Sequence, residues 1–210
     1  MIVVFGGEKG GTGKSTLATN VAVALARAGK DVLLVDTDKQ GSAAAWAAAR
    51  TNQDGLAPVH CLQKTGDVSA ALRDVGGRYG HVIVDAGGRD SKELRTAMAV
   101  ADRLWIPIKA SQFDLWTVAQ MNELVGLARG INPALEAWVV VAMAPTNPSI
   151  HETDEAQLGK IGERKAYRDA LPVGKGVLEL DNPKAIQEIE TLTKEVIGEP
   201  AAVQHAAAQA

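Results

Sequence analysis

The sequence predicts an α/β fold, a mainly parallel, twisted sheet with helices on both faces, and three observations lead there. Short apolar runs alternate with helical patterns along the chain. The runs are aliphatic nearly throughout, as strands buried on both faces are, and such strands need helices to cover them. The three clearest runs each end in a glycine-rich turn or an aspartate, and the carboxyl ends of parallel strands are where such sheets bind ligands.

A first strand over 2–5 enters a glycine-rich turn, and an alanine-rich helix follows over 15–28, with Gly29 as the residue that ends it. A buried strand over 31–36 ends in Asp36, and a second alanine-rich helix covers 42–49. A short strand over 59–62 and a short helix over 68–75 lead to the clearest strand, 81–85, which runs into Ala86-Gly87-Gly88. Further strands are expected over 103–108 and 137–142, and helices over 91–100, 114–129, 163–170 and 182–197. The loop Pro145-Thr146-Asn147-Pro148-Ser149 breaks the pattern after a strand, on the edge of the sheet where ligands bind.

At 210 residues the chain fits a single domain over 1–198, long enough to bury a proper core. The stretch 199–210 has no apolar stripe and is expected to be a disordered tail. A net charge of −3 means that any nucleic-acid binding must come from a local patch. No apolar run approaches the roughly 18 residues of a membrane span and no signal peptide is recognisable, so a cytoplasmic protein is expected. The lone cysteine, Cys61, is expected to be a buried apolar thiol. Trp46, Trp105, Trp116 and Trp138 have no regular spacing, which points to packing in the core or on a dimer face. His81, His151 and His205 are too scattered for a metal site.

The chemistry concentrates in Gly6-Gly7-Glu8-Lys9-Gly10-Gly11-Thr12-Gly13-Lys14-Ser15-Thr16. Glycines let successive backbone N–H groups point into one concavity, the helix N-terminus favours an anion there, and Lys14 adds a full positive charge. Ser15 is spaced to place its hydroxyl on a magnesium ion. A glycine turn with no ligand would leave Lys9 and Lys14 repelling each other, which an anion relieves. The common phosphate-loop pattern asks for glycine where Glu8 stands, so it fails by one residue. Asp36, Asp38 and Asp85 follow strand ends and should converge near this loop. Asp85 has the setting of an acid that holds magnesium, and Gly87 and Gly88 after it offer a backbone N–H and freedom to move. For Asp36 and Asp38, a solvated pair at a helix N-terminus is the alternative.

Lys9 to Thr16 reads Lys-Gly-Gly-x-Gly-Lys-Ser-Thr, the deviant Walker A motif, and on it the sequence resembles the ParA/MinD family of P-loop ATPases. The resemblance implies ATP and Mg2+ as cofactors, with Gly10, Gly11, Thr12, Gly13, Lys14, Ser15 and Thr16 cradling the nucleotide. It implies a homodimer formed on ATP binding, in which Lys9 reaches the phosphates of the partner's nucleotide while Lys14 acts within its own subunit. Asp36-Thr37-Asp38-Lys39-Gln40-Gly41-Ser42 resembles the family's switch segment Asp-x-Asp-Pro-Gln-Gly. By that likeness Asp38 positions the attacking water, and Asp36 supports a metal shell with Ser15 and Asp85. Lys39 stands where the family usually has proline, which leaves the stiffness of the switch and its hydrolysis rate open.

By the same resemblance Met143, Pro145 and Thr146 line the adenine. The stretch Arg-Lys-Ala-Tyr-Arg-Asp-Ala, then Gly-Val-Leu-Glu and a final helix, is similar to the family's C-terminal segment, so the likeness runs from about residue 2 to 197. It makes Arg164, Lys165, Arg168, Lys175 and Lys184 candidates for binding DNA without sequence preference; with Glu163, Asp169 and Glu179 between them, a mixed solvated face is the alternative. The function implied is an ATPase that hydrolyses slowly and positions plasmid or chromosomal DNA or another cargo. Its partners would be non-specific DNA and a ParB-like or other adaptor, with nucleoid association in the ATP state and no membrane. The short sequence before the first strand resembles ParA proteins without an operator-binding domain. A MinD-like membrane adaptor would need an amphipathic C-terminal helix, and 201–210 has only Val203 as a large apolar residue and no Lys or Arg. A metabolic P-loop ligase similar to dethiobiotin synthetase would have little use for Lys9.

Overall fold

Val3 and Phe5 of the first strand pack into one hydrophobic cluster and Ile2 and Val4 into another, and all four are buried. The same alternation holds in the next strand, where Val32 and Leu34 join the first cluster and Leu33 and Val35 the second. A sheet with two apolar faces must be covered on both, and this one is. The computed structural model describes residues 1–7, 9–88, 91–109, 115–144 and 160–198, with the backbone alone over 115–118.

The elements are β1 (Ile2–Gly7), α1 (Lys14–Arg27), β2 (Val32–Asp36), α2 (Ser42–Thr51), β3 (His60–Gln63), α3 (Ser69–Gly76), β4 (His81–Gly88) and α4 (Lys92–Met98). They continue with β5 (Arg103–Lys109), α5 (Leu115–Arg129), β6 (Glu136–Ala144), β7 (Lys160–Gly162), α6 (Lys165–Ala170) and α7 (Pro183–Ile197). The strands form one sheet in the order β3-β2-β4-β1-β5-β6-β7, with every pairing parallel. Helices α1, α2, α6 and α7 supply the first cluster, and α3, α4 and α5 the second. The α/β class with both faces covered is therefore the observed architecture. Among the described residues no helix is long and apolar enough to cross a membrane.

Local signals explain the boundaries. Asn182 caps α7 by accepting the Ala185 N–H at 3.1 Å, and Pro183, which has no N–H to satisfy, opens the helix. Ser91 caps α4 in the same way through the Leu94 N–H. Several elements of the C-terminal quarter differ from expectation. Strand β7 was not anticipated, nor were the short 3-10 turns at Leu171–Val173 and Val177–Glu179. Helix α6 begins at Lys165 rather than 163, because the Glu163 N–H is still engaged with the Ala144 carbonyl at 2.8 Å and Arg164 has extended backbone.

Trp105 and Trp138 pair across β5 and β6 and stack with centroids 6.1 Å apart. Cys61, expected to be buried, is half-buried against the first cluster, and burial pushes its thiol up to about 12. The expected tail over 199–210, His151, His205, the Trp116 side chain and the 145–149 loop lie outside the described residues.

Candidate nucleotide site

Strand β1 occupies the middle of the sheet, between β4 and β5, so the turn leaving it opens at the carboxyl edge between strands whose crossovers run in opposite directions. Gly11 and Gly13 have φ of +69° and +97°, the left-handed region that glycine enters without a steric cost. Gly13 begins α1 with no side-chain cap, which leaves the N-terminal N–H groups of the helix open to a ligand. Lys14 is buried, and its ammonium donates to the Lys9 carbonyl at 2.8 Å, folding the turn over on itself. Burial lowers its pKa, while Asp85 and Asp38 pull the other way. Lys9 is exposed on the rim.

Asp85 has 1% of its surface exposed, and neither of its oxygens has a hydrogen-bond partner. Burial raises its pKa to about 7, with the Ser15 hydroxyl opposing the shift and Asp36 and Asp38 adding to it. A buried carboxylate that lacks a protein partner, with a hydroxyl beside it and two more acids near, fits a divalent cation. The residues present therefore suit magnesium, with Asp85 and Ser15 as the groups that would hold it.

Asp36 pairs with Asp85 across β2 and β4, yet its oxygens are otherwise engaged. One accepts the Asp38 N–H at 3.0 Å and the other the Ala44 N–H in the first turn of α2 at 2.8 Å. Burial raises its pKa against these hydrogen bonds. The structure thus makes Asp36 the residue that shapes the switch loop and starts α2. The Asp38 carboxylate accepts the Gln40 N–H at 3.0 Å and lies beside Gly87, where a Cβ would come within 3.4 Å of the Asp38 carboxyl carbon. Thr37 binds the Asp85 carbonyl through both its N–H (3.0 Å) and its hydroxyl (3.2 Å), so the segments carrying Asp38 and Asp85 are stitched together.

A cavity of about 90 Å³ opens beside the start of α1, lined by Gly13, Thr16, Met143, Gly162, Tyr167 and Arg168 among others. It lies one strand beyond β5, on the flank away from Asp85. Met143 has φ of +53°, a strained backbone for a side chain of its kind, at the rim of this cavity. Pro145 and Thr146 lie outside the described residues. Gly162 and Tyr167 were not picked out in the sequence: Gly162 comes from the unanticipated β7, and the stretch that holds Tyr167 was read for its basic residues.

The basic residues of the C-terminal quarter are spread. Arg164 forms a two-pronged ion pair with Glu188, 2.5 Å at its shortest, and both side chains are mostly buried. Lys165 is exposed, 3.7 Å from Asp169, and Arg168 is exposed, 3.9 Å from Glu163. Lys184 joins Arg164 and the unanticipated Lys160 around a groove of about 360 Å³ between β7 and α7. The Lys175 carbonyl accepts the Trp46 indole N–H at 3.0 Å.

A profile described as the CobQ/CobB/MinD/ParA nucleotide binding domain matches residues 3–199. The chain belongs to this family. Similar relatives include maintenance of carboxysome distribution protein A from Halothiobacillus neapolitanus, 29% identical over 202 residues that cover 90% of this chain and 93% of that protein. The chromosome-partitioning ATPase Soj from Thermus thermophilus is 31% identical, covering 81% of this chain and 80% of that one. Among solved structures, an ATP complex of a variant of Cyanothece McdA superimposes with a TM-score of 0.75 at 19% identity, covering 97% of this chain and 98% of that one. The Pyrococcus horikoshii septum site-determining protein MinD with Mg-ADP gives 0.72 at 16%, covering 93% and 95%. Sheet order and strand directions are thus those of a ParA/MinD nucleotide-binding domain.

Proposed function

We propose that this ParA/MinD-family protein is an ATPase that dimerises around two ATP molecules and uses the cycle of hydrolysis to position a cargo, DNA or a protein assembly, along nucleoid DNA. The observation that carries the reading is Asp85, buried without a partner beside Ser15 at the foot of a loop with two lysines. The relatives are named for distributing carboxysomes and partitioning chromosomes, which supports a positioning role. Magnesium, when bound, would neutralise phosphate charge and hold the terminal phosphates for displacement. Lys14 and the loop N–H groups bind the phosphates, Asp38 orients the attacking water, and Lys9 reaches the partner's nucleotide.

Light scattering with ATP, beside calorimetric titration with ADP, tests this. Lys9→Ala should keep ADP affinity within about twofold yet fail to dimerise with ATP. Asp38→Ala should accumulate as an ATP dimer with phosphate release at background. Equal loss of ADP affinity in Lys9→Ala and Lys14→Ala would remove the cross-subunit role, and normal turnover by Asp38→Ala would remove its assignment.

For DNA, the exposed Lys165, Arg168 and Lys184 and the half-buried Lys175 are the proposed contacts, with Arg164 held back by Glu188. One subunit offers few cations, and two brought together on dimerisation engage several phosphates at once. Fluorescence anisotropy with unrelated duplexes should show binding with ATP and little with ADP. Each cation removed should lower the salt slope by about 0.9. Equal weak binding with either nucleotide would return these residues to an ordinary solvated face.

A further inference from the structure

A third lysine approaches the phosphate loop from the side opposite the acids. Lys109 is the last residue of β5, which flanks β1 on the side away from β4 and its Asp85. Its ammonium lies 4.0 Å from where a Cβ on Gly11 would stand. It is half-buried, and among the described residues no acceptor or carboxylate is paired with it. Its register neighbour on β6 is Ala142, which itself comes within 3.8 Å of a Cβ built on Gly13 and lines the cavity beside the start of α1.

These positions order the edge of the sheet. Asp36, Asp38 and Asp85 stand over β2 and β4, the loop over β1, Lys109 over β5, and that cavity beyond it on β6 and β7. A nucleotide with its terminal phosphate near the acids and its base in the cavity must carry its inner phosphates past Lys109. We infer that Lys109 is a phosphate-binding residue acting in its own subunit on the phosphates that ATP and ADP share. A half-buried ammonium beside a loop that already holds two lysines is disfavoured by like charge, and a polyphosphate gives all three a counter-charge. The inference rests on the nucleotide reading above and assigns Lys109 a task distinct from that of Lys9.

Calorimetric titration of the full chain with ADP and with a non-hydrolysable ATP analogue tests it, using Lys109→Ala, Lys109→Gln and Lys109→Arg. The expected result is a loss of about tenfold in affinity for both nucleotides with Ala or Gln, recovered largely by Arg, and a melting temperature without nucleotide no lower than the parent's. Unchanged ADP affinity with lost ATP-dependent dimerisation would overturn the inference by placing Lys109 on the partner's nucleotide. Unchanged affinity for both would overturn it by leaving a surface lysine. If Lys14→Ala weakens ADP while Lys109→Ala does not, the nucleotide site stands and only Lys109 falls; if the parent binds no nucleotide, both fall.

Discussion

Asp85→Asn is expected to make the metal-free protein more stable than the parent at pH 8 while abolishing the gain in nucleotide affinity that magnesium gives. The substitution keeps the shape of the side chain and removes a charge that the fold buries without a hydrogen bond. In the unfolded chain Asp85 ionises near 3.8, whereas burial raises it to about 7 in the folded protein. A raised folded pKa means that the folded state holds the proton more tightly. Its favourable contribution is complete below the unfolded value and is lost as pH rises through about 7. At about 1.4 kcal/mol per unit, the cost of ionised Asp85 at pH 8 is on the order of 4 kcal/mol, with the attraction of nearby Lys14 already included. Urea unfolding in EDTA should therefore show the variant ahead at pH 8, with the advantage shrinking toward pH 4. A variant no more stable than the parent at pH 8 would show that the protein already compensates the charge, and the case for a cation there would lose its support.

The strand, turn and helix from Ile2 to Arg27 were legible because a strand buried on both faces shows as an unbroken apolar run and the turn demands glycines. Asp85 was legible for a similar reason, as a charge at the end of such a run. Asp36 shows the limit. An acid at a strand end can ligate or can hold backbone N–H groups, and only the path of the chain through Asp38 and Ala44 shows that Asp36 does the second. Lys109 carried the same signal, a charge closing a buried strand, and went unread because no motif surrounds it. Strand β7 is three residues long with Ile161 and Gly162 buried, too short for any period to show. Arg164 reads as a surface cation in sequence, while its partner Glu188 is 24 residues away on α7. The cavity beside the start of α1 draws on Gly13, Met143, Gly162 and Tyr167, which only the fold brings together.

Arg50→Met is expected to destabilise the protein by about 3–5 kcal/mol, the usual cost of stranding one member of a buried ion pair. Arg50 and Glu179 have 3% of their side chains exposed and meet through two hydrogen bonds of 2.9 and 2.7 Å. The guanidinium also donates to the carbonyls of Ala57 and Gly174, and it lies 5.4 Å from the Trp46 ring centroid. Gly174 must stay glycine, since its φ is +68° and a Cβ would collide with the Arg50 backbone nitrogen. These contacts clamp the end of α2 to the segment before α7, and α2 is the helix whose first turn Asp36 holds. Burial alone would raise the Glu179 pKa, but its hydrogen bonds from Arg50 and from the Gly176 N–H outweigh that and hold it below the ordinary 4.5. Its contribution is thus present above 4.5 and lost as pH falls through the lowered value, so the gap between parent and variant should close in acid. Removing both charges with Arg50→Met and Glu179→Leu should recover most of the loss, because no buried charge is then left alone. Urea unfolding at pH 7 of the parent, both single variants and the double variant makes the comparison. A single Arg50→Met variant within about 1 kcal/mol of the parent, or a double variant no better than the sum of the singles, would show that the clamp holds through packing on Trp46 rather than through the ion pair.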